Sequence, residues 1–189
     1  MNDTTADKLR WLSAALQRVS ETTGNLVAWL TVPMVVGTFV IVVLRYAFDV
    51  GWIWMQEGVV WLHALVFMLA AAYTLKHDEH VRVDILYRRL SRKRRALVDV
   101  LGILLLLLPV SIFILAVSWD YVETSWRIRE GSREAGGLPY PFVPLLKSAI
   151  PLTALLLVIE GVAELIRRIL ELVGAGDAGG VSHSAAAEL

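Results

Sequence analysis

Residues with acid–base or ligand chemistry are few, and one group of them is dense. His77, Asp78, Glu79, His80 and Asp84 fall within eight positions, offering imidazole and carboxylate groups of the kind that bind divalent metals. The basic run that follows, Arg88, Arg89, Arg92, Lys93, Arg94 and Arg95, opposes a cation there. No pattern of supporting partners surrounds the two histidines. A hydrogen-bonded corner fits better, because His80 and Asp84 are four apart and share one helical face. His63 is the other candidate ligand, and haem held between facing helices is the chemistry it would suggest. The other apolar segments contain no histidine, and His77 is ~21 Å further along a helix at 1.5 Å per residue. Met34 and Met68 are the only other conceivable axial ligands, and methionine more often packs than ligates. Glu57, Asp99, Glu160 and Glu164 complete the set. Glu164 precedes Arg167 and Arg168 by three and four residues, the spacing of local helical ion pairs. Glu160 has no basic residue within four positions and must meet another helix or a partner subunit.

The elements that position these groups are set by hydropathy. The chain has 189 residues, 57% hydrophobic and 19% charged, above the ~45–50% apolar share of soluble domains. Segments 25–44, 58–75 and 100–119 contain no Asp, Glu, Lys or Arg, and 148–166 is broken only by Glu160 and Glu164. Each is close to the ~20 residues needed to cross a hydrocarbon core as a helix. The expected fold is therefore an all-α integral membrane protein with four transmembrane helices, spans at about 25–44, 57–75, 99–119 and 148–167, and short interfacial amphipathic helices. The membrane domain is 25–168, preceded by a cytoplasmic segment 1–24 and followed by a flexible cytoplasmic tail 169–189. In 1–24, Leu9, Leu12, Leu16 and Val19 share a helical face, which suits an interfacial amphipathic helix or a solvated tail. The first apolar run is full length and lacks a cleavage site, so it reads as a retained span.

Charge orients the spans. The N-terminal, second-loop and C-terminal segments hold 13 Lys and Arg, and the other two connections hold five, which places both termini in the cytoplasm. The basic run then marks the cytoplasmic side and either binds anionic lipid or serves topogenesis alone. Arg45, Trp52 and Trp54 sit where basic and aromatic anchors fix depth. The third loop, with Gly136, Gly137, Pro139, Pro141 and Pro144, reads as a structured extracytoplasmic connection.

Several functions fall away. Without cysteine there is no disulfide, thiolate nucleophile or iron–sulfur ligation. The 18 basic and 18 acidic residues cancel, giving no global attraction to nucleic acid. No polar stretch is large enough for an ordinary soluble catalytic domain. No catalytic residue, metal or cofactor is expected.

Particular motifs carry a family resemblance. Arg45-Tyr46, Trp54 with Glu57, Ala72-Tyr73-Thr74-Leu75, and above all His80-Val81-Arg82-Val83-Asp84 resemble the small permease subunit, DctQ-like, of tripartite ATP-independent periplasmic (TRAP) transporters. The third-loop pattern of Ser132, Leu138-Pro139, Pro144, Lys147 and Ile150-Pro151 is similar to the branch of mannitol or chloroaromatic type. The resemblance implies a multi-pass protein of the bacterial inner membrane, complexed with a large permease that moves substrate and sodium and with a periplasmic solute-binding protein. It makes Arg45, Trp52, Trp54, Glu57, His80, Arg82, Asp84, Pro139 and Glu160 candidates for assembly or structure. The other readings are a haem or quinone redox anchor, and a small exporter using Glu57 or Glu160 as its ion site. The unbroken spans and absence of internal repeats favour a support that transports nothing alone.

Overall fold

The computed structural model describes residues 3–77 and 90–173. His80, Arg82, Asp84, Arg88 and Arg89, the expected surface stretch around them and most of the expected tail lie outside the described residues. Among those described the fold is all helical, with no strand. The helices are α1 (Asp3–Ala28), α2 (Thr31–Phe48), α3 (Ile53–Leu69), α4 (Ala71–Lys76), α5 (Arg92–Gly102), α6 (Leu108–Arg127) and α7 (Phe142–Leu172), with a π-helical turn, Ile103–Leu107, joining α5 to α6. They form four rods long and apolar enough to cross a membrane, Thr4–Phe48, Ile53–Lys76, Lys93–Arg127 and Phe142–Leu172.

The rods are not uniform along their length. The first is interrupted at Trp29 and Leu30, whose N–H groups turn to i−3 carbonyls. Pro33 explains the place: its ring crowds the carbonyl four residues back, at Trp29, and it has no N–H to donate. The third rod widens to i−5 bonding over Ile103–Leu107 just before Pro109, which makes room for the ring against the carbonyl of Leu105. The second is interrupted at Ala70, yet Ala70 N still bonds Val66 O (3.1 Å) and Thr74 N bonds Ala70 O (3.0 Å). These are local adjustments with the ladder retained, not unwound segments.

The central element is α7, which packs against α1, α3, α4, α5 and α6, whereas α2 rests on α3. The surfaces that meet are small. Helix α1 buries Ala6, Ser13, Ser20, Gly24 and Val27; α6 buries Ser111, Ser118 and Ser125; α7 contributes Ala149, Ala154, Gly161 and Ala163. Small faces let backbones approach, the mode of helix association favoured where lipid is as apolar as leucine. Ser13 Oγ accordingly donates to the Ala163 carbonyl at 3.0 Å. Of the apolar stripe on α1, Leu12 and Val19 are exposed, as are Trp11 and Leu26, and Leu9 and Leu16 are half-buried. Large apolar side chains cover the outside of the bundle, as they do when the surroundings are hydrocarbon.

Close packing at Gly24 yields a direct test. A Cβ at Gly24 would fall inside the ring of Tyr73 on α4, whereas one at Gly58 on α3 meets nothing within 4 Å. Gly24→Ala should destabilise the detergent-solubilised protein by about 1–3 kcal/mol, the usual cost of overpacking. Gly58→Ala should be neutral or stabilising by roughly 0.5–1 kcal/mol, since glycine weakens a helix interior. Thermal melts of both variants read the difference; equal melting would refute the packing described here.

Candidate functional site

Polar groups gather at the two ends of the bundle. At the end where α3 and α7 begin, the connection from α6 to α7 folds into a built loop. Helix α6 closes with Arg129 in the left-handed region (φ 51°) and with Glu130 N bonded to Ser125 O at 3.1 Å, a helix stop of the Schellman kind. This turns the Glu130 carboxylate back, so that Ser125 Oγ donates to it at 2.6 Å and Lys147 Nζ at 2.5 Å. The same ammonium lies 4.1 Å from the centre of the Tyr121 ring, within cation–π range. Lys147 first and Ser125 second hold the Glu130 carboxyl below its ordinary value.

The loop is then clasped by Glu57. Ser132 Oγ donates to Glu57 Oε1 at 2.5 Å and Leu138 N donates to Oε2 at 2.7 Å. Ser132 N to Leu138 O (2.9 Å) closes the loop on itself, and Trp54 N to Gly136 O (3.1 Å) ties it to α3. Gly136 takes a positive φ of 79°, which glycine adopts without strain. At Gly137 any Cβ would collide with Ser132 Oγ and come 2.7 Å from Glu57 Oε2. The helix starts four residues before Glu57, and no acidic residue lies in its first turn. Glu57 therefore acts as a two-point acceptor for a distant loop.

Beside the clasp lies a cleft of about 390 Å³, lined by Glu57, Trp61, Tyr121, Glu130, Ser132, Arg133 and Lys147 among others. It presents charges of both signs and hydroxyl donors. Its carboxylates are already engaged, so the arrangement is a shaped polar surface and carries no nucleophile–base pair. Among the described residues no three His, Asp or Glu side chains converge as a metal site.

The opposite end is held by ion pairs between helices. Glu21 on α1 pairs with Lys76 on α4 and with His77 Nε2 at 3.2 Å, and His77 packs on the Tyr73 ring at 4.3 Å. Glu164 meets Arg167 at 2.7 Å and Arg168 at 2.6 Å, as the spacing suggested. Arg168 also reaches Asp99 on α5 at 3.2 Å, a link that spacing could not reveal.

The other candidates fall in distinct places. Arg45 is exposed on the last turn of α2. Trp52 and Trp54 stack with centroids 6.4 Å apart. Pro139 is exposed, and its carbonyl accepts from Phe142 N at 3.1 Å. His63 is exposed on α3. Of the basic run, Arg92 opens α5, Lys93 and Arg94 are exposed, and Arg95 Nε donates to the Leu90 carbonyl at 3.0 Å. Glu160 is fully buried in α7. Sequence reasoning gave no role to Glu130, Ser132, Leu138 and Lys147, although three of these belong to the family-like loop pattern. The glycine pair at 136 and 137 was the accessible signal, since it marks a backbone held against something.

Two tests follow from this geometry. Glu57→Ala and Gly137→Ala should each raise amide exchange over residues 129–141 several-fold while leaving α6 and α7 protected, by mass spectrometry of the full chain. Protection unchanged in both would exclude the clasp. Because the Glu130 carboxyl is held low, its ion pair stabilises the loop above the ordinary value of 4.5 and is lost as pH falls through the lowered value. Loop protection, corrected for intrinsic exchange, should stay constant through neutral and mildly acidic pH and drop only below that point. Glu130→Gln should flatten the profile.

Sequence comparison places the chain among known proteins. The family described as tripartite ATP-independent periplasmic transporters, DctQ component, matches residues 34–171, from early α2 to the end of α7 and including every residue of the clasp. The chain is also 29% identical, over 121 residues, to the C4-dicarboxylate TRAP transporter small permease protein DctQ of Vibrio cholerae. That alignment covers 61% of this chain and 52% of the relative, so the chain spans about half the length of the curated protein it matches. With the family matched over most of its length and four apolar rods in its fold, the chain is a multi-pass membrane protein that belongs to the DctQ family of TRAP transporter small permease components.

Proposed function

We propose that this chain is the stationary small subunit of a TRAP-type secondary transporter. It holds a large multi-span permease in the membrane and offers the clasped loop to a periplasmic solute-binding protein, in an assembly that takes up an organic acid or related solute by sodium symport. The third-loop pattern favours a system of the mannitol or chloroaromatic type. Both termini face the cytoplasm of a bacterial inner membrane, as the charge asymmetry suggests.

The observation that carries this reading is where polarity sits. Coupled transporters build substrate and ion sites near the bilayer midplane, commonly from broken helices whose ends face a cavity. Here the retained helical ladders and the end-bound charges leave nothing of that kind among the described residues. The cleft of about 510 Å³ between α6 and α7 is lined mainly by apolar side chains such as Leu115, Trp119, Pro151 and Leu155. Glu21, Glu57, Glu130, Glu164, Lys147 and Arg168 are spent tying helices and loop together, which suits a rigid support.

The reading is tested by function and by topology. Reconstituted alone under an inward sodium gradient, the chain should take up no organic acid above empty vesicles, and adding the large permease and binding protein should restore uptake. Sodium-driven accumulation by the chain alone would favour the exporter reading. A reporter active only in the cytoplasm should work after Arg95 and Glu171 and fail after Gly137. Substituting Glu57, His80 or Asp84 should lower the yield of intact complex in parallel with uptake; full assembly with no uptake would assign them a direct part in transport.

A further inference from the structure

The support role leaves Glu160 unused. Its side chain has 0% exposure, and neither carboxyl oxygen has a hydrogen-bond partner. Across the α1–α7 seam stands Ser20, also 0% exposed, with its hydroxyl unpartnered. Ser13 Oγ on the Ala163 carbonyl fixes the register of α1 on α7 and brings Ser20 and Glu160 onto one buried seam, and the charges of Glu164, Lys76 and Arg167 act on the carboxyl. Each nearby cation is engaged elsewhere. Lys76 pairs with Glu21 of α1, Arg167 with Glu164, and Arg168 with Glu164, Glu171 and Asp99 of α5. From α3, His63 is exposed and Glu57 is bonded to the loop; from α6, Arg127 bonds Thr124 next to the loop end.

Among the described residues no unengaged cation and no bonded donor meets this carboxyl, and a bare carboxylate is too costly to persist in the apolar interior of a membrane helix. A neutral carboxyl needs only an acceptor for its O–H, and a serine hydroxyl both accepts and donates. We propose that Glu160 is a proton-binding site whose carboxyl O–H bonds Ser20 Oγ, forming a neutral bolt between α1 and α7. Ser13, donating to the Ala163 carbonyl one turn away, continues the same polar seam. Removing the proton leaves a negative charge one turn from Glu164 with no unengaged cation among the described residues to offset it. The seam then loosens, so the attachment of α1 depends on the protonation of one residue. The inference rests on the fold and is independent of the support role.

The test uses the full chain purified in detergent. Glu160→Gln replaces the O–H by an N–H₂ of the same shape and should melt with the wild type, whereas Glu160→Ala and Ser20→Ala should melt several degrees lower. The infrared difference between wild type and Glu160→Gln should contain the C=O stretch of a protonated carboxyl, a signature that packing alone does not produce. Absence of that band, or a Glu160→Gln melt as low as that of Glu160→Ala, would overturn the proposal. Sodium raising the melting temperature of the wild type but not of Glu160→Gln would also overturn it, by assigning the site to a metal cation.

Discussion

A helix that crosses an apolar medium with charged side chains must find them partners within the protein, and α7 is built around that constraint. It carries Glu160, Glu164, Arg167 and Arg168 within nine residues and Lys147 near its other end. Glu164 is only 4% exposed, and its burial is tolerable because two guanidinium groups converge on it. Arg168 in turn reaches Asp99, so one local cluster fixes the position of α5. Lys147 does the same for the loop between α6 and α7 through Glu130. The other helices pack on α7 where its polar groups need them or where its small residues admit them.

The inward faces obey a rule opposite to that of a soluble bundle. Serine, alanine and glycine line the contacts of α1, α6 and α7, while Phe39, Phe67, Phe113 and Trp119 stand outward. In water the large side chains would drive helices together by leaving solvent. In lipid that driving force is absent between helices, and close backbone approach with short hydroxyl bonds takes its place. This is why Gly161 sits against Leu107 and Leu108, and why α2, with no buried residue, remains at the edge of the fold, resting chiefly on α3.

The functional reading comes from how these bonds are distributed. Glu57 and Glu130 hold a loop of fixed shape at one end of the bundle, and ion pairs lock the helices at the other. A surface intended to receive another protein benefits from being ordered beforehand, because less freedom is lost on docking. The short chain thus concentrates order at its ends and leaves its flanks apolar.

The sequence by itself determined the class, the number of apolar segments, the charge asymmetry and the pairing of Glu164 with Arg167 and Arg168. All of these depend on composition or on residues within one helical turn, where spacing dictates proximity. Periodicity picked out the leucine stripe of α1 but not the small-residue face by which that helix packs, because it does not say whether lipid or protein covers a face. Only the tertiary structure decided that Ser132 and Leu138, 75 and 81 residues beyond Glu57, are its partners. It alone also placed Asp99 beside Arg168 and Ser20 opposite Glu160. Such contacts follow from how the rods are stacked, and stacking is set by the summed fit of many small side chains, which no local pattern encodes.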